Sequence, residues 1–194
     1  MIVVIGAMKE ELSEIKALPQ TLLIESGIGK ANAAMKLTEA LMKHDVTAIY
    51  NFGFVGASHH YEIGDLILIE EAMYHDFDLR FFGYEKGQVP GCPQKFKSDE
   101  TLIKKVVLIE PQIKKGLLYT GDYFMTETID QPYIVDMEGA ALYQVAYHYQ
   151  IPIVSIKIVS DIVGMDNHYE NYKKFESELG AKHINEIYLK LLKE

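Results

Sequence analysis

Five runs rich in Ile, Val and Leu recur along the chain, and each ends in glycine, serine, histidine or an acid. MIVVIGAM stops at Gly6 and gives way to Lys9–Leu18, where Leu12, Ile15 and Leu18 have helical spacing until Pro19. Leu22 to Glu25 meets SGIGK and then a helix pattern through Ala31, Ala34, Leu37 and Leu41. TAIYNFGFVGA runs into Gly53 and Gly56, which let backbone approach a flat ligand closely. DLILIEEAMYH and IPIVSIKIVSD complete the set. Lys97 to Val107 reads as a further helix, GLLYTGDYFM as a strand and a loop holding Asp122, Tyr123 and Phe124, and Tyr169 to Leu192 as an amphipathic helix. Strands alternating with helices predict an α/β fold with a central mixed, largely parallel β-sheet flanked by helices. A length of 194 residues without repeat or linker predicts a single domain over 1–194.

Charge narrows the partners. The net charge is -9, and Lys104-Lys105 and Lys114-Lys115 are only short pairs, so a nucleic-acid or anionic-membrane surface is not expected. Cys92 is the one cysteine, which excludes an intrachain disulfide and fits a reducing cytoplasm. No apolar run is long enough to cross a bilayer.

Acids arrive where strands end. Glu10 and Glu11 follow the first strand at a helix start, Ser160-Asp161 closes the last β-branched run, and VDMEGAALYQVA delivers Asp136-Met137-Glu138 into a close-packed helix. Taken alone, that last stretch is an ordinary helix start, with Glu138 stabilised at the positive end of the helix dipole. Glu11, Glu138 and Asp161 together are more than ordinary helix starts require. In open α/β sheets ligands bind beyond the carboxyl ends of the strands.

Other chemistries lack their spacing. There is no GxGxxG, P-loop or GxSxG. His59-His60, His75-Asp76 and Asp78 have no recognisable metal-ligand spacing, so no metal and no cofactor is expected. Cys92, between Gly91 and Pro93, has no evident activating neighbour and reads as a packing thiol. Carboxylates at strand ends suit glycosidic cleavage, which needs an acid for the leaving group and a base for water. With a purine as leaving group, a ring nitrogen can take the proton, an aromatic such as Phe124 can stack on the base, and Met137 can pack on a sugar. The segment HDFDLRFFGYEKGQVPGCP is too rich in glycine, proline and aromatics for a regular element. Phe81, Phe82, Tyr84 and Pro90 point to a partner subunit.

GAMKEE, ESGIGKANAA, NFGFVGA, YHDFDLRFFGYEKGQVPGCP, TGDYF, VDMEGAA and VSD, in this order, resemble the nucleoside phosphorylase superfamily over nearly the whole chain. Within it they are most similar to the bacterial nucleosidases of 5'-methylthioadenosine and S-adenosylhomocysteine. The resemblance implies hydrolysis of the adenine–ribose bond without phosphate or metal. It implies Glu11 as the base for water, Asp161 as the acid at N7 of adenine, and Ser160 as the group that orients Asp161. It further implies Glu138 on the ribose hydroxyls, Met137 on the sugar and Phe124 on the base. Ile28, with Phe82, Tyr84 and Pro90 of a neighbouring subunit, would wall the 5'-alkylthio group, which implies a homodimer.

The chain departs from that pattern in four places. A β-hairpin usual between Pro19 and Thr21 is missing, Phe54 stands for a small serine beside base and sugar, Lys157 for a common arginine, and Asp136 for a frequent glutamate. Phe54 and the short N-terminal region keep a non-catalytic nucleoside-binding protein in view, and Lys157 keeps a phosphorylase, or an enzyme of another purine nucleoside, in view.

Overall fold

A computed structural model describes residues 1–126, 128, 131–165 and 180–192. Eight strands form one sheet: β1 (Ile2–Gly6), β2 (Thr21–Glu25), β3 (Ala48–Ala57), β4 (Leu66–Tyr74), β5 (Phe96–Lys97), β6 (Lys114–Thr120), β7 (Ile134–Asp136) and β8 (Ile153–Ile162). The order is β2-β1-β3-β7-β6-β4-β5, and β8 pairs with both β3 and β4. The ring β3–β8–β4–β6–β7 therefore closes on itself, leaving β1 and β2 as a wing on one side. All ten residues of β8 are buried, as its unbroken apolar run predicts for a strand covered on both faces.

The expected α/β class holds, but the sheet is more mixed than expected. Among the described residues, β3–β7, β4–β8 and β4–β5 pair antiparallel while the other five pairings are parallel. Around a closed ring reversals of direction must come in pairs, and here β4–β8 and β3–β7 are that pair. Hydrophobic runs report burial and not strand direction, so the sequence could not show it.

Helices cover both faces. α2 (Lys30–Lys43) and α4 (Gly139–Tyr149) share one core with Ile5, Ile49 and Leu118. Across the sheet, α3 (Glu100–Ile109) and α5 (Gly180–Leu192) pack Leu102, Val106, Ile184 and Ile187 on Val4, Phe52, Phe54 and Ile156. Asp99 starts α3 by accepting hydrogen bonds from the Thr101 and Leu102 amides at 2.9 and 3.0 Å. That cap moves the helix two to three residues later than its expected range, and Phe96–Lys97 pairs with β4 instead.

The first helix is the larger correction. α1 spans only Lys9–Leu12, not the expected Lys9–Leu18. Tyr188 of α5 captures the segment beyond it: its hydroxyl accepts from the Leu18 amide at 3.1 Å and donates to the Lys16 carbonyl at 3.0 Å. Pro19 further disfavours helical backbone at Leu18. Residues 169–179 of the expected C-terminal helix, with Tyr169, Tyr172, Phe175 and Leu179, lie outside the described residues. Among those described, no helix is long and apolar enough to cross a membrane. The long loop after β4 contains a single 3-10 turn, Arg80–Phe82, and leaves Phe81 94 % and Phe82 69 % exposed.

Candidate active site

β1 ends at Gly6 and the chain turns into α1, so Glu11 lies one turn into that helix and folds back on the strand end. Its Oε2 accepts from the Ala7 and Met8 amides at 2.6 and 2.9 Å, and its Oε1 accepts from the Phe54 amide of β3 at 2.8 Å. The carboxyl is buried. Burial pushes its pKa above the ordinary value, against the opposing pull of Lys157 and these three amides. A Cβ at Gly53 would lie 2.6 Å from Glu11 Oε1. The glycine expected to admit a flat ligand instead makes room for the acid.

The last acid owes its place to a bulge. Val55 pairs with Val159 but Gly56 with Asp161, so Ser160 is an extra residue in β8. At a bulge the strict alternation of side chains is broken and a side chain is re-aimed. Ser160 Oγ can thus donate to Asp161 Oδ1 at 2.5 Å, and it also lies 3.1 Å from the Val55 carbonyl. A Cβ at Gly56 would stand 2.9 Å from Asp161 Oδ2, so this glycine too accommodates a carboxyl group.

β7 delivers the third acid, and here the expected division of labour changes. Asp136, not Glu138, serves the helix start: it accepts from the Gly139 amide at 3.0 and 3.1 Å and from the Thr120 hydroxyl at 2.6 Å. The Glu138 side chain makes no capping bond and accepts from the Gly29 amide at 2.7 Å. Burial and then the nearby Asp136 charge push its pKa up to about 8, outweighing the Gly29 amide and Lys157. The helix end therefore does not keep Glu138 charged. Lys157 Nζ pairs with Asp136 Oδ2 at 3.1 Å, both side chains almost fully buried. Two of the four departures noted in the sequence are thus each other's partner.

All three acids face one cavity of about 520 Å³, a size suited to a small-molecule ligand. Glu11, Asp161, Glu138, Met137, Phe124, Ser160, Ile28 and Phe54 all line it. Phe54, 6 % exposed, both lines the cavity and packs with the core on the α3–α5 side of the sheet. The sequence reading missed Met8, Val55, Tyr123, Met125 and Val135 in the wall, since no local pattern marks an apolar residue as pocket rather than core. Phe82, Tyr84 and Pro90 do not line it, and all three are exposed on the chain itself.

The histidines and Cys92 lie elsewhere. His60 contacts Ser58 Oγ at 3.2 Å, His75 packs edge-on to Tyr123 at 4.9 Å, and Asp76 pairs with Lys30. Cys92 has a neighbour the sequence did not reveal, His148 Nε2 at 3.6 Å, but burial pushes the thiol pKa up. The contact reaches across from the aromatic loop to the last turn of α4.

The cavity walls are acidic and apolar: Glu11, Asp136, Glu138 and Asp161 line them, and among the described residues no lysine, arginine or histidine does. A family model, that of the phosphorylase superfamily, matches residues 1–193. The chain belongs to the phosphorylase superfamily. A superfamily relative from Bacillus cereus (strain B4264), named 5'-methylthioadenosine/S-adenosylhomocysteine nucleosidase, is 35 % identical over 229 positions covering 100 % of this chain and 98 % of its own. That alignment is longer than the 194-residue chain, so the relative has residues where this chain has none. A Borrelia burgdorferi B31 structure assigned to the same activity, bound to adenine, superposes with a TM-score of 0.87 at 33 % identity, covering 100 % of this chain and 99 % of that one. The Neisseria meningitidis nucleosidase in complex with methylthio-immucillin-A gives a TM-score of 0.88 at 26 % identity, covering 99 % and 98 %.

Proposed function

We propose that this chain hydrolyses the N-glycosidic bond of 5'-methylthioadenosine and S-adenosylhomocysteine, releasing adenine. The observation that carries the reading is the cavity itself: carboxyl groups from three strand ends converge in it, and among the described residues no cation lines it. Such a wall favours a reaction whose transition state gains positive charge on the sugar, and it disfavours an anionic co-substrate.

In this mechanism Phe124 stacks on the adenine and Asp161, oriented by Ser160, gives a proton to N7 so that the base leaves neutral. Glu138 holds the ribose hydroxyls. Its raised pKa favours the protonated form, which can donate one hydrogen bond and accept another. Met137 packs on the sugar, and Glu11 takes the proton of the attacking water. Ile28 borders the 5'-alkylthio group. The exposed Phe82, Tyr84 and Pro90 complete that wall from a second copy, making the working unit a homodimer of single-domain chains in the cytoplasm.

Incubating the protein with methylthioadenosine, with and without phosphate, tests the reading. Adenine release at the same rate in both is expected; no adenine at any phosphate concentration would exclude the reading. A phosphorylase would instead form ribose 1-phosphate derivatives. Against it stands Lys157, whose ammonium is already paired with Asp136 beneath the cavity wall. Light scattering should give twice the chain mass, and a monomer that retains activity would remove the second copy from the site.

A further inference from the structure

Three loops meet at the mouth of the cavity, and one ion cluster joins them. Lys30 follows the Ile28-Gly29 turn, Asp76 follows β4, and Asp122 precedes Tyr123-Phe124 after β6. Lys30 Nζ donates to both oxygens of Asp76 at 2.7 and 2.8 Å and lies 3.6 Å from Asp122 Oδ2. Asp122 Oδ1 accepts from the Lys30 amide at 2.8 Å, and Asp76 Oδ2 accepts from the Asp122 amide at 2.8 Å. Every member thus holds both others, through backbone as well as side chain. Burial works against the charge on Asp76, but the bonds from Lys30 and the Asp122 amide outweigh it and hold its carboxyl below the ordinary range. Asp76 itself does not line the cavity.

What the cluster holds is the recognition wall. Ile28 stands on one side of the mouth and Tyr123-Phe124 on the other, and the Gly29 amide in the same turn carries Glu138 Oε1. His75, next to Asp76, supports the Tyr123 ring edge-on. We propose that Asp76 is a positioning residue for the nucleoside: through Lys30 and Asp122 it sets the distance between the loop that stacks on the base and the turn that borders the sugar substituent. The proposal rests on the nucleosidase reading for the identity of the ligand. An isolated exposed ion pair holds little, but here two carboxylates share one ammonium and two backbone amides, with Lys30 and Asp76 side chains only 23 % and 17 % exposed.

None of these bonds touches Glu11 or Asp161, so loosening the cluster should weaken ground state and transition state alike. Uniform weakening raises KM and spares kcat. The expected result for Asp76→Asn is a KM for methylthioadenosine raised about tenfold with kcat within about twofold of wild type. Lys30→Met should behave the same way, and Lys30→Arg, which keeps a cation between the two acids, should restore most of the affinity. Amide hydrogen exchange should also quicken together at 28–30 and at 121–125 in Asp76→Asn. An unchanged KM in both Asp76→Asn and Lys30→Met, or a fall in kcat at constant KM, would overturn the proposal. Should the wild type release no adenine, the nucleosidase reading fails by itself. The exchange measurement then decides the clasp alone, and unchanged protection in the two loops would refute it.

Discussion

The floor and the mouth of the cavity are built on different principles. At the floor, Glu11 and Asp161 are 3 % and 1 % exposed, sit at the ends of β1 and β8, and are held by adjacent backbone amides or by the neighbouring serine. At the mouth, Ile28, Tyr123 and Phe124 are about half exposed, on loops tied by ion pairs near solvent. Groups that transfer protons need fixed geometry and a dry setting, which buried positions braced by backbone amides and a neighbouring hydroxyl supply. Groups that grip the substrate must open to admit it, which loops allow.

Breaking the floor should therefore cost turnover, and breaking the mouth should cost affinity. The largest effect is expected for Asp161→Asn: a fall in kcat of roughly 10²- to 10⁴-fold with a much smaller change in KM, because the proton matters most in the transition state. An unchanged rate in steady-state assays would contradict the assignment. Next comes Gly53→Ala, whose new methyl would crowd Glu11 Oε1. Displacing the base should lower kcat about 100-fold, with a smaller change in KM. Equal losses in both parameters would mean that the methyl blocks the ligand and not the base. Phe124→Ala removes a stacking face from the mouth and should raise KM roughly tenfold while leaving kcat within a few-fold. If kcat fell instead, the division between floor and mouth would collapse.

A change in stability, apart from turnover and affinity, concerns Glu138, which belongs to both regions through Asp136 and Gly29. In the unfolded chain its proton leaves near the ordinary 4.5, and in the folded chain at about 8. Between those values the folded protein holds the extra proton, so this group's contribution to stability falls as pH rises, at up to about 1.4 kcal/mol per pH unit. Denaturant midpoints between pH 5 and 8 should decline in the wild type and decline less in Glu138→Gln. Glu11, also raised, keeps part of the slope. Parallel slopes in the two proteins would show that Glu138 is not the titrating group.

Much of this was legible in the residues, for identifiable reasons. Unbroken apolar runs located β3, β4 and β8, because burial on both faces leaves a local mark. Acids at the ends of the first and last apolar runs marked the floor, since a carboxyl group at a strand end is a local fact. Loop residues were legible only through the family resemblance. What stayed hidden depends on partners distant in sequence. α1 ends at Leu12 because Tyr188 binds the chain 170 residues away, and Asp136 turned out to be the cap and the partner of Lys157 while Glu138 reached for Gly29.

The sequence by itself determined the α/β alternation, the burial of β8 and which carboxyl groups stand at strand ends, all of which follow from periodicity along a few residues. Only the tertiary structure decided that the sheet closes, that a bulge at Ser160 re-aims Asp161, that Gly53 makes room for Glu11, and that Lys30, Asp76 and Asp122 clasp the mouth. Each of these is a contact between segments that share no local pattern, set by which strands pair and in what register.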